Sequence, residues 1–150
     1  MKPVPQNKLG PLLLPIIKSR MEEANLQGRS DPDQALVFVQ EAYDERNGSV
    51  FMDSLEDPKA CLGLIQQRNP LMEKTTGVSL FWVRPDIRDT LESRKLTREM
   101  LKTIDAYAAM HGHLSITTSS WCYKDSQPQI DSLWESQGFE LQERVYIKII

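Results

Sequence analysis

Gly77-Val78-Ser79-Leu80-Phe81-Trp82-Val83-Arg84-Pro85, residues 77–85, is a short apolar run closed by a proline. Its large side chains fall on both parities, Val78, Leu80 and Trp82 against Phe81 and Val83. A strand covered on both faces has that pattern, whereas a half-exposed one alternates core and solvent. Arg84-Pro85 ends the run, since proline has no N–H to give a ladder. The clearest helical pattern of the chain follows over residues 93–111, where Leu96, Met100, Leu101, Ile104, Tyr107 and Ala108 form one stripe and Gly112 supplies the stop. Residues 114–118 then alternate as another strand. A strand, a long helix and a strand imply a parallel pair joined by a helical crossover, so parallel pairing is expected at the centre of the sheet.

Working outward, residues 49–55 and 60–66 read as two strands joined by the turn Glu56-Asp57-Pro58-Lys59. Ahead of them lies a helix with Asp31 as its cap, Pro32 at its first position, Leu36, Val39 and Tyr43 on one face, and Asn47-Gly48 at its end. An earlier helix opens at Pro11, lines up Leu13, Ile16, Ile17, Arg20, Met21 and Ala24, and stops at Gly28. Residues 1–10, with Pro3, Pro5 and Gly10, read as an extended arm or edge strand. Toward the C terminus, Ser126-Gln127-Pro128 starts a short helix with Ile130, Leu133 and Trp134 on one face; Gly138 ends it, and residues 139–150 form a closing strand. The expected order is α-α-β-β-β-α-β-α-β, an α/β fold with a mixed central sheet and helices on both faces, in one domain over residues 1–150.

Composition narrows the partners. A net charge of -3 argues against a general polyanion binder, so nucleic acid is not expected. The apolar run 12–17 is interrupted by Pro15 and is far short of the ~20 residues that span a bilayer, and no signal-peptide pattern leads the chain. A reducing cytoplasm is therefore the expected location, with no membrane partner. Cys61 and Cys122 lack the paired spacing of a structural zinc site, and His111 and His113 flank Gly112 at a helix end without a third ligand, so no metal is expected.

Three short motifs carry a family resemblance over residues 48–150. Leu133-Trp134-Glu135-Ser136-Gln137-Gly138-Phe139 is similar to the L-Y-E-x-x-G-F signature of the general N-acetyltransferase (GNAT) superfamily, Ala60-Cys61-Leu62-Gly63-Leu64-Ile65 resembles that family's third strand with its central glycine, and Trp82-Val83-Arg84-Pro85 resembles the V-x-P that ends its fourth. The resemblance implies a GNAT fold. It also implies acetyl-CoA beside Val83, in a splayed opening between the two parallel strands, with its pyrophosphate on backbone amides at the start of the long helix. Unpaired N–H groups and the helix dipole attract phosphate there, and glycines let the backbone come close.

The chain departs from the family at the residues that do the chemistry. Counted back from Met100-Leu101, the pyrophosphate pattern R/Q-x-x-G-x-G/A falls on Glu92, Lys95 and Thr97, a carboxylate and two side chains where a cation or amide and two glycines are expected. Arg94, Lys95, Thr97 and Arg98, beside Arg84 and Arg88, remain candidates for holding phosphate by side chains, with Asp86, Asp89, Glu92 and Glu99 interleaved. The family's tyrosine, the acid that protonates the departing thiolate, aligns with Trp134, and an indole N–H is no acid in water. Tyr123 and Cys122, after the strand that borders the opening, are the substitute catalytic candidates. The expected role is a structural or protein-interaction module with no required cofactor, acting on a protein partner or by self-association. Small degenerate members of the family occur in bacteriophage particles, which adds the virion or host cytoplasm as a location. The alternative is a divergent acyl-CoA-dependent N-acetyltransferase acting on an amine, with acetyl-CoA as cofactor.

Overall fold

The parallel pair forms where the sequence places it. In the structure, a computed structural model that describes residues 1–23, 31–68, 72–118 and 127–141, the elements in chain order are β1 (Lys2–Pro3), α1 (Gln6–Glu23), α2 (Pro32–Glu45), β2 (Ser49–Met52), β3 (Ala60–Arg68), β4 (Lys74–Val83), α3 (Leu91–Met110), β5 (Ser115–Thr118) and α4 (Gln127–Ser136). They fall into two compact units, residues 1–119 and 120–150. The sheet order is β1-β2-β3-β4-β5. The first three pairings are antiparallel, and β4 runs parallel to β5 from Thr75↔Ser115 to Val78↔Thr118.

Side-chain hydroxyls lock the start of the parallel pair. Thr75 donates to the Ser115 carbonyl at 2.8 Å, Ser115 Oγ donates to Thr75 Oγ1 at 2.9 Å, and Thr76 Oγ1 meets His113 Nδ1 at 2.7 Å. Thr75 and Thr76 are completely buried, so those partners satisfy hydroxyls that burial would otherwise penalise.

Helices cover both faces of the sheet. Leu9, Leu13 and Ile16 of α1 and Tyr43 of α2 pack with Val50, Met52, Cys61, Ile65 and Trp82 on one face. On the other, Phe51 meets the α3 residue Tyr107 edge-on, with ring centroids 6.3 Å apart. Which β4 residue faces which layer is set by a β-bulge. Gly63 pairs with Leu80 but Leu64 pairs with Val78, so Ser79 is one residue too many. An inserted residue shifts the side-chain alternation, and here it puts Leu80 and Trp82 on the α1–α2 face while Val78 joins Leu64 on the α3 face.

Tyr43 is the plug at that bulge. Its side chain is buried, and its hydroxyl lies 3.0 Å from Ser79 Oγ. A Cβ on Gly63 would overlap that hydroxyl and come 3.0 Å from Leu80 Cβ, and one on Gly48 would overlap the tyrosine ring. Both glycines are therefore needed for space. Burial pushes the Tyr43 phenol well above its ordinary value, so it stays protonated.

Several boundaries differ from expectation. The first helix starts at Gln6, not Pro11, and only Lys2–Pro3 of the expected arm is extended, as the edge strand β1. Pro11 and Pro15 sit inside α1. Both prolines are exposed, so the carbonyls they leave unbonded, those of Asn7 and Pro11, belong to residues on the wet side where water serves. β4 starts at Lys74, three residues early, because Thr75 and Thr76 find partners. Asp31 caps α2 as expected, accepting from the Asp33 N–H at 2.9 Å. Residues 139–141 are not strand, and the rest of the expected closing strand, like Ala24, Gly28 and Asn69-Pro70, lies outside the described residues.

Gly63→Ala is expected to lower stability by about 1–3 kcal/mol, the usual range for overpacking a core. With Tyr43→Phe already in place the same change should cost less, because the hydroxyl it meets is gone. Urea unfolding of the four proteins measures this, and strictly additive costs would contradict it.

Candidate cofactor site at the start of the long helix

The end of β4 leads into the long helix through Arg84 and Arg88. Arg84 donates its N–H to the Lys59 carbonyl at 2.8 Å, which makes those two a hydrogen-bonded pair. Antiparallel alternation then turns the backbone groups of Val83 and Phe81 away from β3, toward the edge on the β5 side. The Val83 carbonyl accepts from Arg88 Nε at 2.9 Å. After a single 3-10 turn at Pro85–Ile87, Asp89 takes a left-handed φ of 67° and Thr90 caps α3. Thr90 Oγ1 accepts from the Ser93 N–H at 3.2 Å, and Ser93 Oγ donates to the Thr90 carbonyl at 2.9 Å.

Because α3 begins at Leu91, Lys95 and Thr97 lie in its second turn, where amides are already used by the helical ladder. The residues that lead into the first turn are Arg88-Asp89-Thr90-Leu91-Glu92-Ser93. Thr90 takes up the Ser93 amide, which leaves the amides of Leu91 and Glu92 as the orphan donors of this helix start. The Leu91 side chain is 82% exposed.

Charge here is internally balanced. Lys59 pairs with Glu92 at 2.7 Å, Arg84 with Asp57 and Asp86 at 2.7 Å each, and Arg88 with Glu23 of α1 at 2.5 Å. Donating a hydrogen bond to Glu92 raises the Lys59 ammonium above its ordinary value, and donating one to Asp86 does the same for Arg84. The pairs made by Lys59 and Arg84, whose carboxylates are well exposed, add little to stability. Their consequence is for ligands, since each cation already has a carboxylate. Arg94, Lys95 and Arg98 are exposed and have no ion pair among the described residues. Of the paired acids, Asp86 and Glu92 were visible in the sequence as neighbours of the bases. Glu23 was not, because it arrives from 65 residues away.

The candidate catalytic residues Cys122 and Tyr123 lie outside the described residues, as do Ser119 and Ser120. Trp134 on α4 is 5% exposed and stacks obliquely on Phe139, with centroids 5.2 Å apart. It is a core residue, as its place on the apolar face of the helix predicts. Cys61 is fully buried, and burial pushes its thiol up to about 12, so it is no nucleophile at neutral pH. His111 and His113 stack with centroids 5.5 Å apart, and Gln66 meets His111 at 3.3 Å. Partial burial, then the His111 and Lys74 charges, hold His113 below the ordinary histidine range. The unfolded chain takes up that proton more readily, so His113 lowers stability as pH falls through about 6.5. Among the described residues no three potential ligands converge on a metal position, and no described helix is long and apolar enough to cross a membrane.

No family model matches the sequence, and no curated protein matches it. Solved structures do match. An aminoglycoside acetyltransferase from an uncultured soil metagenomic sample, solved with sisomicin, gives a TM-score of 0.71 at 12% identity over 99% of this chain and 94% of that one. A tetramutant protein from Bacillus halodurans gives 0.68 at 18% identity over 99% and 98%. A ribosomal-protein-alanine N-acetyltransferase from Brucella melitensis gives 0.68 at 9% identity over 99% and 97%. Identities this low establish the fold alone, and the fold is that of the GNAT acetyltransferases, as the sequence motifs implied.

Two outcomes test these assignments. Trp134→Ala should cost about 3–5 kcal/mol, the range for truncating a buried tryptophan, and a near-zero change in chemical denaturation would mean an exposed indole. In a Cys122→Ser background, Cys61 should resist a thiol reagent at pH 8 until denaturant is added; prompt labelling of the native protein would contradict its burial.

Proposed function

We propose that this chain is a GNAT-fold module that no longer transfers acetyl groups and acts as a structural or protein-interaction component, engaging another protein or a second copy of itself. Small degenerate members of the family fill that kind of role in bacteriophage particles. The observation that carries the proposal is Leu91. With α3 starting there, the pattern R/Q-x-x-G-x-G/A sits best on Arg88, Leu91 and Ser93, the residues that lead into the helix, and not on Glu92, Lys95 and Thr97. Arg88 supplies the cation, and Ser93 is small. Leu91 puts a branched side chain where the family needs bare backbone, beside the two orphan amides a pyrophosphate would use.

Other features agree. Trp134 aligns in sequence with the family's thiolate acid, and an indole cannot protonate a leaving group. At the bulge of β4, where a carboxylate base would serve, stands Ser79, bonded to Tyr43. The three cations nearest the strand end are each held by a carboxylate of the same chain. Together they remove cofactor grip, acid and base at once, which is more than one compensating side chain restores.

The second reading, a divergent acyl-CoA-dependent N-acetyltransferase acting on an amine, is favoured by Arg88 and Ser93 and by Arg94, Lys95 and Arg98, which have no ion pair among the described residues and would together form a side-chain clamp for phosphate. Calorimetric titration with acetyl-CoA separates the two. The module should give no saturable binding up to about 1 mM, where even a bound complex is worth only about -4.1 kcal/mol. Micromolar binding that weakens with Arg88→Gln or Arg98→Ala would establish the enzyme instead.

A further inference from the structure

We infer that Glu23 is a built-in occupant of the phosphate position, a carboxylate from α1 that closes the Arg88 guanidinium against phosphate-bearing ligands. This deepens the proposed loss of cofactor binding and rests on it. Arg88 is the cation of the helix start, and its planar fork is filled on both prongs: Nη1 donates to Glu23 Oε2 at 2.5 Å and Nη2 to Glu23 Oε1 at 3.0 Å. Its remaining nitrogen, Nε, is fixed to the Val83 carbonyl at 2.9 Å. A two-pronged guanidinium offers the same geometry to two carboxylate oxygens as to two phosphate oxygens, so a phosphate cannot take this fork with both prongs while Glu23 holds it.

Glu23 also differs from the other acids at this end. Its side chain is 19% exposed, against 49% for Glu92, 61% for Asp86 and 70% for Asp57. Arg88 itself is 42% exposed, but the less hydrated carboxylate on it is screened less than the other three acids. Glu23 comes from the last turn of α1, in a different layer of the fold, and not from the charged stretch around α3. Glu92, Asp86 and Asp57 neutralise cations locally, whereas Glu23 reaches across from α1 and sits where a ligand's charge would lie.

Inorganic pyrophosphate is the probe, titrated calorimetrically into wild type, Glu23→Gln, and Glu23→Gln combined with Arg88→Gln, with thermal melts confirming that each is folded. Gln keeps the shape of the side chain but removes the competing charge. Wild type should show no saturable binding at about 1 mM, Glu23→Gln should bind at least about tenfold more tightly, and the double variant should lose that gain. If Glu23→Gln does not fold, Glu23→Asp serves in its place: it keeps the charge but shortens its reach, and should give a smaller gain. Equal, weak binding by wild type and either Glu23 variant would overturn the role of Glu23 and leave the loss of cofactor binding standing. Tight binding by the wild type would overturn both.

Discussion

The contact on which the rest of unit 1 depends is the Tyr43 hydroxyl at the β4 bulge. Ser79 is the residue that does not fit the β3–β4 ladder, and Tyr43 reaches it only because Gly48 and Gly63 carry no side chains. The bulge flips which β4 side chains face α1–α2 and which face α3, so it settles both layers at once. It follows directly on the last rung with β5, Val78↔Thr118. One hydroxyl thus links helix packing, strand register and the end of the parallel pair.

Below that constraint the site has been rebuilt in electrostatic terms. A helix start attracts anions through orphan amides and dipole, and this chain supplies its own anions to the cations around it. Glu23 on Arg88, Glu92 on Lys59, and Asp57 and Asp86 on Arg84 give each of these three cations a carboxylate partner. On the proposed placement of the pyrophosphate, Leu91 adds a steric obstacle. On the proposed reading, scaffold and chemistry have separated, since a fold does not by itself carry a function.

Much of the scaffold was legible because it rests on period and caps. The β4–α3–β5 unit, Asp31-Pro32 at the start of α2 and the stripe on α3 all follow local rules. The misses have non-local causes. Two prolines inside α1 are tolerated because they face water, and the extension of β4 to Lys74 depends on hydroxyl partners on β5. The bulge is invisible in GVSLFWV, whose two-sided apolar pattern looks like an uninterrupted central strand. At the site, counting back from Met100 puts the pattern on Glu92, Lys95 and Thr97, the last two in the second turn of α3, whereas the proposed frame on Arg88 is anchored on Pro85 and the cap at Thr90. Nothing local in the sequence could have found Glu23.

The proposed loss of cofactor binding is tested most directly at the start of α3. Nitrogen-15 NMR of the labelled chain, with coenzyme A added stepwise, reads the amides of Leu91, Glu92 and Ser93 one by one. The account predicts that these three resonances stay in place through millimolar ligand. Saturable shifts at Leu91 and Glu92, accompanied by a change at Arg88, would mean that the pyrophosphate cradle still works.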